Sequence, residues 1–442
     1  MKLTLVKPNI GRMEHRLYID EGRMEPLQLG VIAALTPPDV EVVLYDDRME
    51  EVPYDEPTDL VGITVETFTA RRAYEIADEY RRRHIPVVMG GMHAALATEE
   101  VAEHADSVYV GDAETRWVEM IEDLRRKKMK STYFAGAGKP QPFTTTRRDL
   151  FKGKGYLPVT LMQFSRGCEY ECSFCATSVY FKRTHNVREI REVIREIEEQ
   201  GRKFVFFVDD NIVANPEAAK KLFREITPLK INWVSQASID MTGDRELMNL
   251  MAKSGCIGHV VGFESIDREN LHLMNKAPNL GCFEGYGEPI CIIRGYGLQI
   301  WAAFTLGHDF DTKDSIRRTL EFALKNRFAF AAFNILMPYP GTRFYEDLQE
   351  QNRLLYDGKW WLHPEYRFNH ASFVPKNMTP DELTSECFEA RRQFNSPMSI
   401  LKRAFDIKTN MRTFRKLFLY AIYAPLFRKE VFKKQGMRFG TK

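Results

Sequence analysis

The stretch that decides the fold and the chemistry is Ser165-Arg166-Gly167-Cys168-Glu169-Tyr170-Glu171-Cys172-Ser173-Phe174-Cys175. It holds three of the seven cysteines in a C-x3-C-x2-C pattern, directly after an apolar run at 159–164 that predicts a strand. Thiolates at this spacing can converge on one inorganic centre when the chain loops around it, as in iron–sulfur proteins. Three thiolates on a four-iron cube leave one iron open. We therefore predict that Cys168, Cys172 and Cys175 bind a [4Fe–4S] cluster.

A structural zinc site with His185 as the fourth ligand is an alternative for the same cysteines. Structural zinc sites usually draw their ligands from two separated pairs, whereas these three cysteines are close together at a predicted strand end. This position favours the iron–sulfur interpretation. The other four cysteines are scattered, and we expect them to pack as small apolar residues.

A series of apolar runs and helix-length segments begins at the cysteine stretch. Runs typical of strands are found at 159–164, 204–208, 231–237, 259–263, 300–306 and 331–337, with helical patterns between them. Six such units predict a partial (β/α)6 barrel at 157–345. The chemistry of β/α barrels lies at the carboxyl ends of the strands, and the cysteines follow the first of these strands.

The first 130 residues alternate in the same way and predict a doubly wound parallel sheet of the Rossmann type at 1–130. Such sheets bind ligands at the carboxyl ends of their strands, where this sequence has Gly90-Gly91 and, after another run, Gly111 and Glu114. Ordinary strand-to-helix turns are the alternative for these glycines. Residues 131–156 lose the periodicity and carry Gly, Pro and Thr, which predicts a linker.

Residues 346–442 are predicted to form a mixed, mainly helical region with a basic tail. From 402 to 442 there are twelve Lys or Arg residues and two acidic ones, Asp406 and Glu430. The tail encloses an apolar run at 417–427, which is too short to span a bilayer. Two interpretations stay open, a docked helix with a solvated basic face and a helix that lies on an anionic membrane or another protein.

Composition narrows the class of protein. The net charge of +2 over 442 residues lacks the basic excess typical of a nucleic-acid-binding protein. Seven unevenly spaced cysteines do not resemble a secreted disulfide framework, and the first residues lack the apolar core of a signal peptide. We therefore expect a cytoplasmic protein that contacts a membrane at its periphery if at all, with no nucleic-acid partner.

The cysteine stretch and several later motifs resemble the radical S-adenosylmethionine (SAM) superfamily, and more closely its branch with an N-terminal cobalamin (B12)-binding-like domain. The resemblance covers about residues 1–400. Beyond the cysteines it rests on motifs at 206–211, 262–265, 274–276, 307–312 and 340–342. It implies a [4Fe–4S] cluster that cleaves SAM to a 5′-deoxyadenosyl radical, which abstracts hydrogen from a substrate carbon.

The resemblance also implies where SAM binds. Phe174, in the aromatic position before the third cysteine, would pack near the adenine. The end of the second barrel strand would contact the SAM amino group, and the third and fourth strands its ribose and carboxylate. These candidate residues are Asp209, Asp210, Asn211, Gln236, Ser238 and Glu264. Each could instead cap the helix that follows it.

Cobalamin is a further cofactor that the resemblance implies. Candidate contacts are Gly90, Gly91, His93 and Glu114, and His15 is a second histidine near a predicted strand end. The Asp-x-His-x-x-Gly motif that supplies a cobalt ligand in many B12 proteins is absent, but many members of this branch bind cobalamin without a protein histidine. An ordinary surface or core histidine is the alternative for both residues.

Two outcomes for the substrate radical stay open. With cobalamin, the resemblance implies methylation of an unactivated carbon; without it, the radical would undergo dehydration, cyclisation or rearrangement. A tRNA methylthiotransferase would carry a second cysteine trio in its N-terminal domain, and no cysteine precedes Cys168. The implied partners are a small-molecule or lipid-like substrate and an electron donor of the flavodoxin or ferredoxin type.

Overall fold

Two parallel six-stranded sheets organise the molecule. The structure, a computed structural model, describes residues 1–13, 16–18, 20–136, 145–282 and 285–441. The N-terminal sheet has the strand order β4-β1-β5-β6-β7-β8. Its strands, with the short antiparallel pair β2–β3, are β1 (Lys2–Lys7), β2 (Arg12–Met13), β3 (Arg16–Leu17), β4 (Glu41–Asp46), β5 (Leu60–Thr64), β6 (Val87–Gly90), β7 (Ser107–Gly111) and β8 (Thr132–Gly136). Its helices are α1 (Leu27–Leu35), α2 (Ala70–Arg82), α3 (Met92–Leu96), α4 (Thr98–His104) and α5 (Trp117–Arg125).

The N-terminal sheet is sandwiched between helices, as the alternating pattern predicts. Every residue of β5 is buried, which is the signature of a parallel strand covered on both faces. Helix α2 buries a stripe of alanine, isoleucine and tyrosine side chains at helical spacing against the sheet. The doubly wound α/β fold is confirmed, but the sheet extends beyond residue 130. Thr132–Gly136, predicted as linker, pairs with β7 as the edge strand, and residues 137–144 lie outside the described residues.

The second sheet is an open barrel whose six strands all run parallel, in the order β9-β12-β13-β14-β15-β16. This arrangement confirms the predicted partial (β/α)6 barrel. The strands, with the small pair β10–β11, are β9 (Thr160–Met162), β10 (Ser165–Gly167), β11 (His185–Val187), β12 (Phe204–Phe207), β13 (Asn232–Gln236), β14 (Cys256–Glu264), β15 (Gln299–Leu306) and β16 (Phe330–Ile335).

Helices cover the outer face of this barrel, and their apolar sides form the largest hydrophobic core of the described residues. They are α6 (Ala176–Tyr180), α7 (Ile190–Gln200), α8 (Pro216–Ile226), α9 (Arg245–Lys253), α10 (Arg268–Leu273), α11 (Ala277–Leu280), α12 (Gly287–Gly295) and α13 (Lys313–Lys325). Side-chain caps fix several of the starts: Asn215, Asp244 and Thr312 each accept a backbone N–H in the first turn of α8, α9 and α13.

The C-terminal region packs against both sheets and covers the amino-terminal ends of the barrel strands. Its helices are α14 (Arg343–Glu350), α15 (Pro380–Phe394), α16 (Pro397–Ala404) and α17 (Phe414–Lys434). Helix α17 lies across the amino-terminal ends of the barrel strands, where Phe427 packs on Trp301 with ring centroids 4.3 Å apart. No helix of the described residues has both the length and the apolar character needed to cross a bilayer.

A buried polar cluster fastens the C-terminal region to the N-terminal sheet. The Glu100 carboxylate accepts hydrogen bonds from Tyr74 (2.9 Å) and Trp361 (2.8 Å), lies 3.2 Å from His93 Nε2 and forms an ion pair with Lys359. Burial alone would raise the pKa of Glu100, but hydrogen bonds from His93, Trp361 and Lys359 lower it to about 2. The charged form of Glu100 therefore stabilises the contact between these regions.

Glu100→Gln should lower the free energy of unfolding by about 2 kcal/mol at pH 7, because a buried charge-assisted cluster loses its charge. The native pKa of Glu100 lies below the ordinary value of 4.5, so its contribution is complete above that pH and disappears as the pH falls towards 2. The difference between the wild type and the variant in urea unfolding should therefore narrow below about pH 5. Glu103→Gln, at an exposed position of the same helix, is the control, and an equal loss there would contradict the prediction.

Candidate functional site

The three clustered cysteines lie on a loop at the carboxyl end of β9, the first barrel strand. The loop is braced by the β10–β11 pair, and Cys175 ends it as the residue before α6. The Cys175 backbone N–H donates to the Cys172 carbonyl at 3.0 Å, which curls this part of the loop into a tight turn. All three thiols are free. Burial raises the pKa of the Cys172 thiol to about 11, against a lowering by the nearby Lys276 ammonium.

The two alternatives for the cysteine loop, a [4Fe–4S] cluster and a single zinc ion, differ in what they require of the thiolates. Among the described residues, no three His, Cys, Asp or Glu side chains meet as the ligands of one metal ion must. A [4Fe–4S] cube binds each thiolate at a different iron, so its ligands need not meet at one point. His185, the fourth ligand of the zinc alternative, pairs with Gly167 across the small hairpin and has a buried Nε2 without a hydrogen-bond partner.

The Met274-Asn275-Lys276 segment supports the cysteine loop from the neighbouring part of the barrel. The Ser173 backbone N–H donates to the Met274 carbonyl at 2.9 Å, and Asn275 Nδ2 donates to the Glu171 carbonyl at 3.0 Å. Asn275 adopts a left-handed backbone conformation, with φ at 54°. These bonds fix the middle of the loop between Cys168 and Cys175.

Lys276 brings a buried positive charge to the cysteines. Its ammonium lies 3.0 Å from Glu264 and 5.8 Å from the centre of the Phe174 ring. Burial lowers the pKa of Lys276, but Glu264 and the thiols of Cys172 and Cys175 raise it above its ordinary value overall. Lys276 is a site residue that the sequence analysis did not single out, although its motif was among those that carried the resemblance.

Glu264 ends β14 at an irregularity of the sheet. The register with β15 shifts between Gly262 and Glu264, and Glu264 adopts a φ of 60°, which is uncommon for a residue with a side chain. The bulge turns the Glu264 carboxylate back over Gly262, where it meets Lys276. The predicted SAM contacts Glu264 and Phe174 therefore both lie near the Lys276 ammonium, beside the cysteine loop.

Asp209 and Asp210 accept hydrogen bonds from the start of the cysteine loop. Asp209 is fully buried, and its carboxylate accepts from the backbone of Phe164 (3.1 Å) and from the backbone and hydroxyl of Ser165 (2.5 Å each). Burial raises the pKa of Asp209 to about 7. The predicted SAM contact for Asp209 is wrong, because both of its oxygens are already bound inside the protein. Asp210 accepts from the backbone of Gly167 at 3.0 Å.

The other strand-end candidates form a hydrogen-bonded chain along the same edge. Asn211 Nδ2 donates to the Ser238 hydroxyl at 3.0 Å, and Ser238 donates to Asp240, which also accepts from the Tyr170 hydroxyl. The chain links the ends of β12 and β13 to the loop between the first two cysteines. Gln236 ends β13 on its inward, half-buried face. The structure thus brings Asn211, Ser238 and Gln236 together; their contact with SAM stays a prediction.

Gly262→Ala should weaken SAM binding about tenfold or more. A β-carbon at Gly262 would overlap the Glu264 carboxylate and lie 3.2 Å from the Lys276 ammonium, which would displace this charged pair. Loss of one charge-assisted contact is worth about 1.5–3 kcal/mol, and 1.4 kcal/mol is tenfold in affinity. The dissociation constant of SAM for the cluster-loaded protein is the measurement.

Gly243→Ala is the matched control for Gly262→Ala. Gly243 follows β13 on the same side of the barrel, and a β-carbon there would meet nothing within 4 Å. We expect this variant to bind SAM as the wild type does. If Gly262→Ala also kept wild-type affinity, Glu264 would not be part of the SAM site.

A cavity of about 610 Å³ separates the cysteine side of the barrel from the carboxyl edge of the N-terminal sheet. The predicted glycines line it: Gly90 ends β6, and Gly91 follows with φ at 107°. A β-carbon at Gly91 would lie 2.8 Å from the Val65 carbonyl oxygen, so this turn requires glycine. The volume is typical of a pocket for a cofactor-sized ligand.

His93 does not face this cavity. It is fully buried, with Nε2 3.2 Å from Glu100 and Nδ1 3.2 Å from Thr67, and its ring packs edge-on against Trp361. The prediction that His93 contacts cobalamin is wrong, because the C-terminal region covers this side of the sheet. His15 lies outside the described residues.

Arg166 joins the two sheets at the cavity. Its guanidinium lies 2.6 Å from Glu114 and 3.4 Å from Asp112, and all three side chains are largely buried. The Tyr180 hydroxyl of α6 also donates to Asp112, at 3.2 Å. Glu114 lines the cavity with its carboxylate bound to Arg166, and its contact with cobalamin stays a prediction. The residue two positions before Cys168 is thereby fixed to the N-terminal sheet.

Comparison with known proteins identifies the family. The sequence model of the radical SAM superfamily matches residues 162–323 of this chain. The chain is 30% identical to the bacteriochlorophyllide d C-12(1)-methyltransferase of Chlorobaculum tepidum, over 91% of this chain and 89% of that protein. It is 31% identical to the bacteriochlorophyllide d C-8(2)-methyltransferase of the same organism, over 75% of this chain and 78% of that protein.

The fold also matches a solved structure. The radical SAM methyltransferase TsrM from Kitasatospora setae, with cobalamin and a [4Fe–4S] cluster bound, superimposes with a TM-score of 0.62 at 19% identity, over 79% of this chain and 78% of TsrM. This similarity shows that the two proteins share a fold. On the evidence of the relatives, the chain belongs to the radical SAM superfamily, whose members use a [4Fe–4S] cluster to cleave SAM.

Proposed function

We propose that the protein is a cobalamin-dependent radical SAM enzyme that methylates an unactivated carbon of a small molecule. One observation carries the proposal: the cysteine loop and a glycine-lined cavity lie on two sides of the same buried ion pair, Arg166 with Glu114. A cluster on the loop and a cofactor in the cavity would thus be neighbours. Two relatives named as methyltransferases, each at least 30% identical, support the same conclusion.

The residues of the loop can hold a cluster and position SAM. When bound, the cluster would supply the electron for SAM cleavage, and cobalamin would supply a methyl group for transfer to the substrate radical. Asp209 and Met274 hold the backbone of the loop that carries the thiols through hydrogen bonds. Glu264 offers a carboxylate to an ammonium or a ribose hydroxyl, and Phe174 offers a ring to the adenine.

The residues around the interdomain cavity fit cobalamin. Its walls combine small and apolar residues with polar groups at the edge, and the turns at Gly90 and Gly91 bring the backbone to its surface. His93 is held in the core, so cobalamin would bind here without that histidine as a cobalt ligand. We propose that the N-terminal domain is the cobalamin-binding domain and that 157–345 is the radical domain.

The proposed substrate is an apolar small molecule or a lipid-like one. The two methyltransferases from Chlorobaculum tepidum are named for bacteriochlorophyllide d, a tetrapyrrole, and we extend the substrate class, though not that compound, to this protein. SAM cleavage consumes one electron from outside the protein. We propose a flavodoxin or ferredoxin as its donor.

The C-terminal surface fits an anionic membrane. Eight of the sixteen exposed large hydrophobic side chains among the described residues are found at 398–422. They are Met398, Leu401, Phe405, Ile407, Met411, Phe414, Phe418 and Ile422. Lys402, Lys408, Arg412 and Arg415 are exposed between them, and the acidic residue of this segment, Asp406, is buried. We propose that this surface, 398–422, rests on a bilayer that carries negative charge.

Vesicle binding tests the membrane contact. The full-length protein should sediment with vesicles of anionic phosphatidylglycerol and much less with neutral phosphatidylcholine vesicles. Phe414→Asn combined with Ile407→Asn should release it, while Val118→Asn, an exposed position on α5, should not. Equal binding to both vesicle types, or unchanged binding of the double variant, would contradict the proposal.

Purification without oxygen after growth with cobalamin tests the enzymatic function. We expect iron near four per chain, bound cobalt, and 5′-deoxyadenosine from SAM in the presence of a reductant. Methyl-labelled SAM and extracts of apolar metabolites would then show which compound gains the label. Iron and 5′-deoxyadenosine without cobalt would contradict the methylation proposal and favour dehydration, cyclisation or rearrangement; no iron would contradict the radical mechanism.

A further inference from the structure

Lys276 is a largely buried cation beside the cysteine loop. Its side chain is 17% exposed, and the two residues before it are hydrogen-bonded to the loop. The ammonium lies 5.8 Å from the centre of the Phe174 ring, and Phe174 directly precedes Cys175. The backbone bonds and the burial therefore fix this positive charge close to the thiols and prevent it from turning into solvent.

The charge of Lys276 acts on all three thiols of the loop. Burial raises the pKa of the Cys168 and Cys172 thiols, and the Lys276 ammonium acts against this rise at both. Burial lowers the pKa of Lys276 itself, and the thiols of Cys172 and Cys175 are among the groups that raise it. A cation that favours negative charge on three thiols also favours negative charge on a group that the three thiolates hold together.

The Glu264 carboxylate forms an ion pair with Lys276 at 3.0 Å but does not cancel its charge at the loop. After burial, Lys276 has the largest influence on the pKa of Cys172, and it outweighs the opposite influence of Glu264. The two side chains therefore act on the thiols with opposite signs and unequal strength. The pair leaves a net positive potential at the loop.

We infer that Lys276 raises the reduction potential of the cluster that the loop holds. One electron passes from the external donor, a flavodoxin or ferredoxin, to the cluster, and no bond forms or breaks in this step. The added negative charge is stabilised by a buried cation, and the potential of such clusters depends on nearby charge and on solvent exposure. A higher potential allows a weaker donor to deliver the electron. The inference rests on the proposed function, because it takes the cysteine loop as the place of the cluster.

A redox titration followed by electron paramagnetic resonance measures this potential in the cluster-loaded full-length protein without SAM. Lys276→Met should lower the midpoint potential, with a change of at least tenfold in the reduction equilibrium, which is about 59 mV for one electron. A buried unit charge within about 10 Å acts by at least this much. Lys276→Arg keeps the charge and should stay close to the wild-type potential.

Glu264→Gln tests the sign of the effect. Glutamine removes the negative charge of the pair and keeps an acceptor for the Lys276 ammonium. The midpoint potential should therefore rise, and by less than it falls in Lys276→Met, because Glu264 acts less strongly on the thiols. Damage to the loop would instead lower the iron content or shift the potential of both variants in the same direction.

Arg183→Met is the matched control, because Arg183 is 58% exposed beside the same loop. Solvent and salt screen its charge, so the potential should be unchanged. The inference is overturned if Lys276→Met keeps the wild-type potential with normal iron content. If Lys276→Met loses its iron, a potential of Glu264→Gln at or below the wild-type value overturns it. A wild-type protein without iron would overturn the proposed function together with the inference, whereas unchanged potentials beside normal iron would overturn the inference alone.

Discussion

Cys172→Ala should abolish cluster binding and SAM cleavage together. Cys172 is the most buried thiol of the trio, and its loop is fixed on both sides by backbone hydrogen bonds to Met274 and Cys175. Two remaining thiolates cannot hold a four-iron cube in one orientation. Iron per chain should fall to a small fraction of the wild-type value. The rate of 5′-deoxyadenosine formation should fall roughly a thousandfold or more, which corresponds to about 4 kcal/mol of activation free energy.

Cys291→Ala is the matched control, because Cys291 is an exposed cysteine of α12, away from the loop. It should keep wild-type iron and activity. Cys387→Ala is unsuitable as a control, since its buried thiol donates to the Phe333 carbonyl and the variant would also lose stability. If Cys172→Ala kept its iron and still formed 5′-deoxyadenosine, the assignment of the cluster to this loop would be wrong. Zinc in place of iron in the wild-type protein would favour the alternative of a structural zinc site.

Local patterns predicted most of the fold. Each barrel strand is an apolar run between helical patterns, and the observed strands differ from the predicted ones by a few residues at their ends. The edge strand β8 escaped prediction because only one of its five residues, Tyr133, is buried, so the apolar signal of a central strand is missing. The cysteines were recognised because their spacing is short and their chemistry is specific.

Long-range pairings could not be read from the sequence. His93 and Asp209 both follow parallel strands, where polar residues commonly face a ligand. Trp361, far along the chain, packs edge-on against His93, and the Ser165 hydroxyl donates a hydrogen bond to the Asp209 carboxylate. Lys276 was overlooked for the same reason, since its role depends on Glu264 and on the thiols rather than on its neighbours in sequence. The strand-end rule thus places these residues at the carboxyl edge of their sheets but does not give the direction of each side chain.

Arg166→Met should weaken the contact between the N-terminal sheet and the barrel. Methionine keeps much of the apolar volume but leaves the buried carboxylates of Glu114 and Asp112 without their cation, at a cost of about 3–5 kcal/mol. These carboxylates line the interdomain cavity, so their repulsion should open it. We expect cobalt per chain to fall at least about tenfold, as the cost in free energy implies. Iron content should be unchanged, because Arg166 binds no part of the cluster.

Arg166→Met should lower the cobalt content without lowering the iron content, and two further variants test whether this difference comes from the Arg166 ion pair. Arg183→Met removes an exposed ion pair with Glu171 beside the same loop and should leave both metals in place, since exposed pairs contribute little. Combining Arg166→Met with Glu114→Gln removes one of the two buried carboxylates that have lost their cation, and this should restore part of the bound cobalt. If Arg166→Met lost iron and cobalt alike, Arg166 would act by holding the cysteine loop. If Arg166→Met kept all its cobalt, the Arg166 ion pair would not be needed for cobalamin binding. Cobalamin binding would then have to depend on the glycine turns at Gly90 and Gly91.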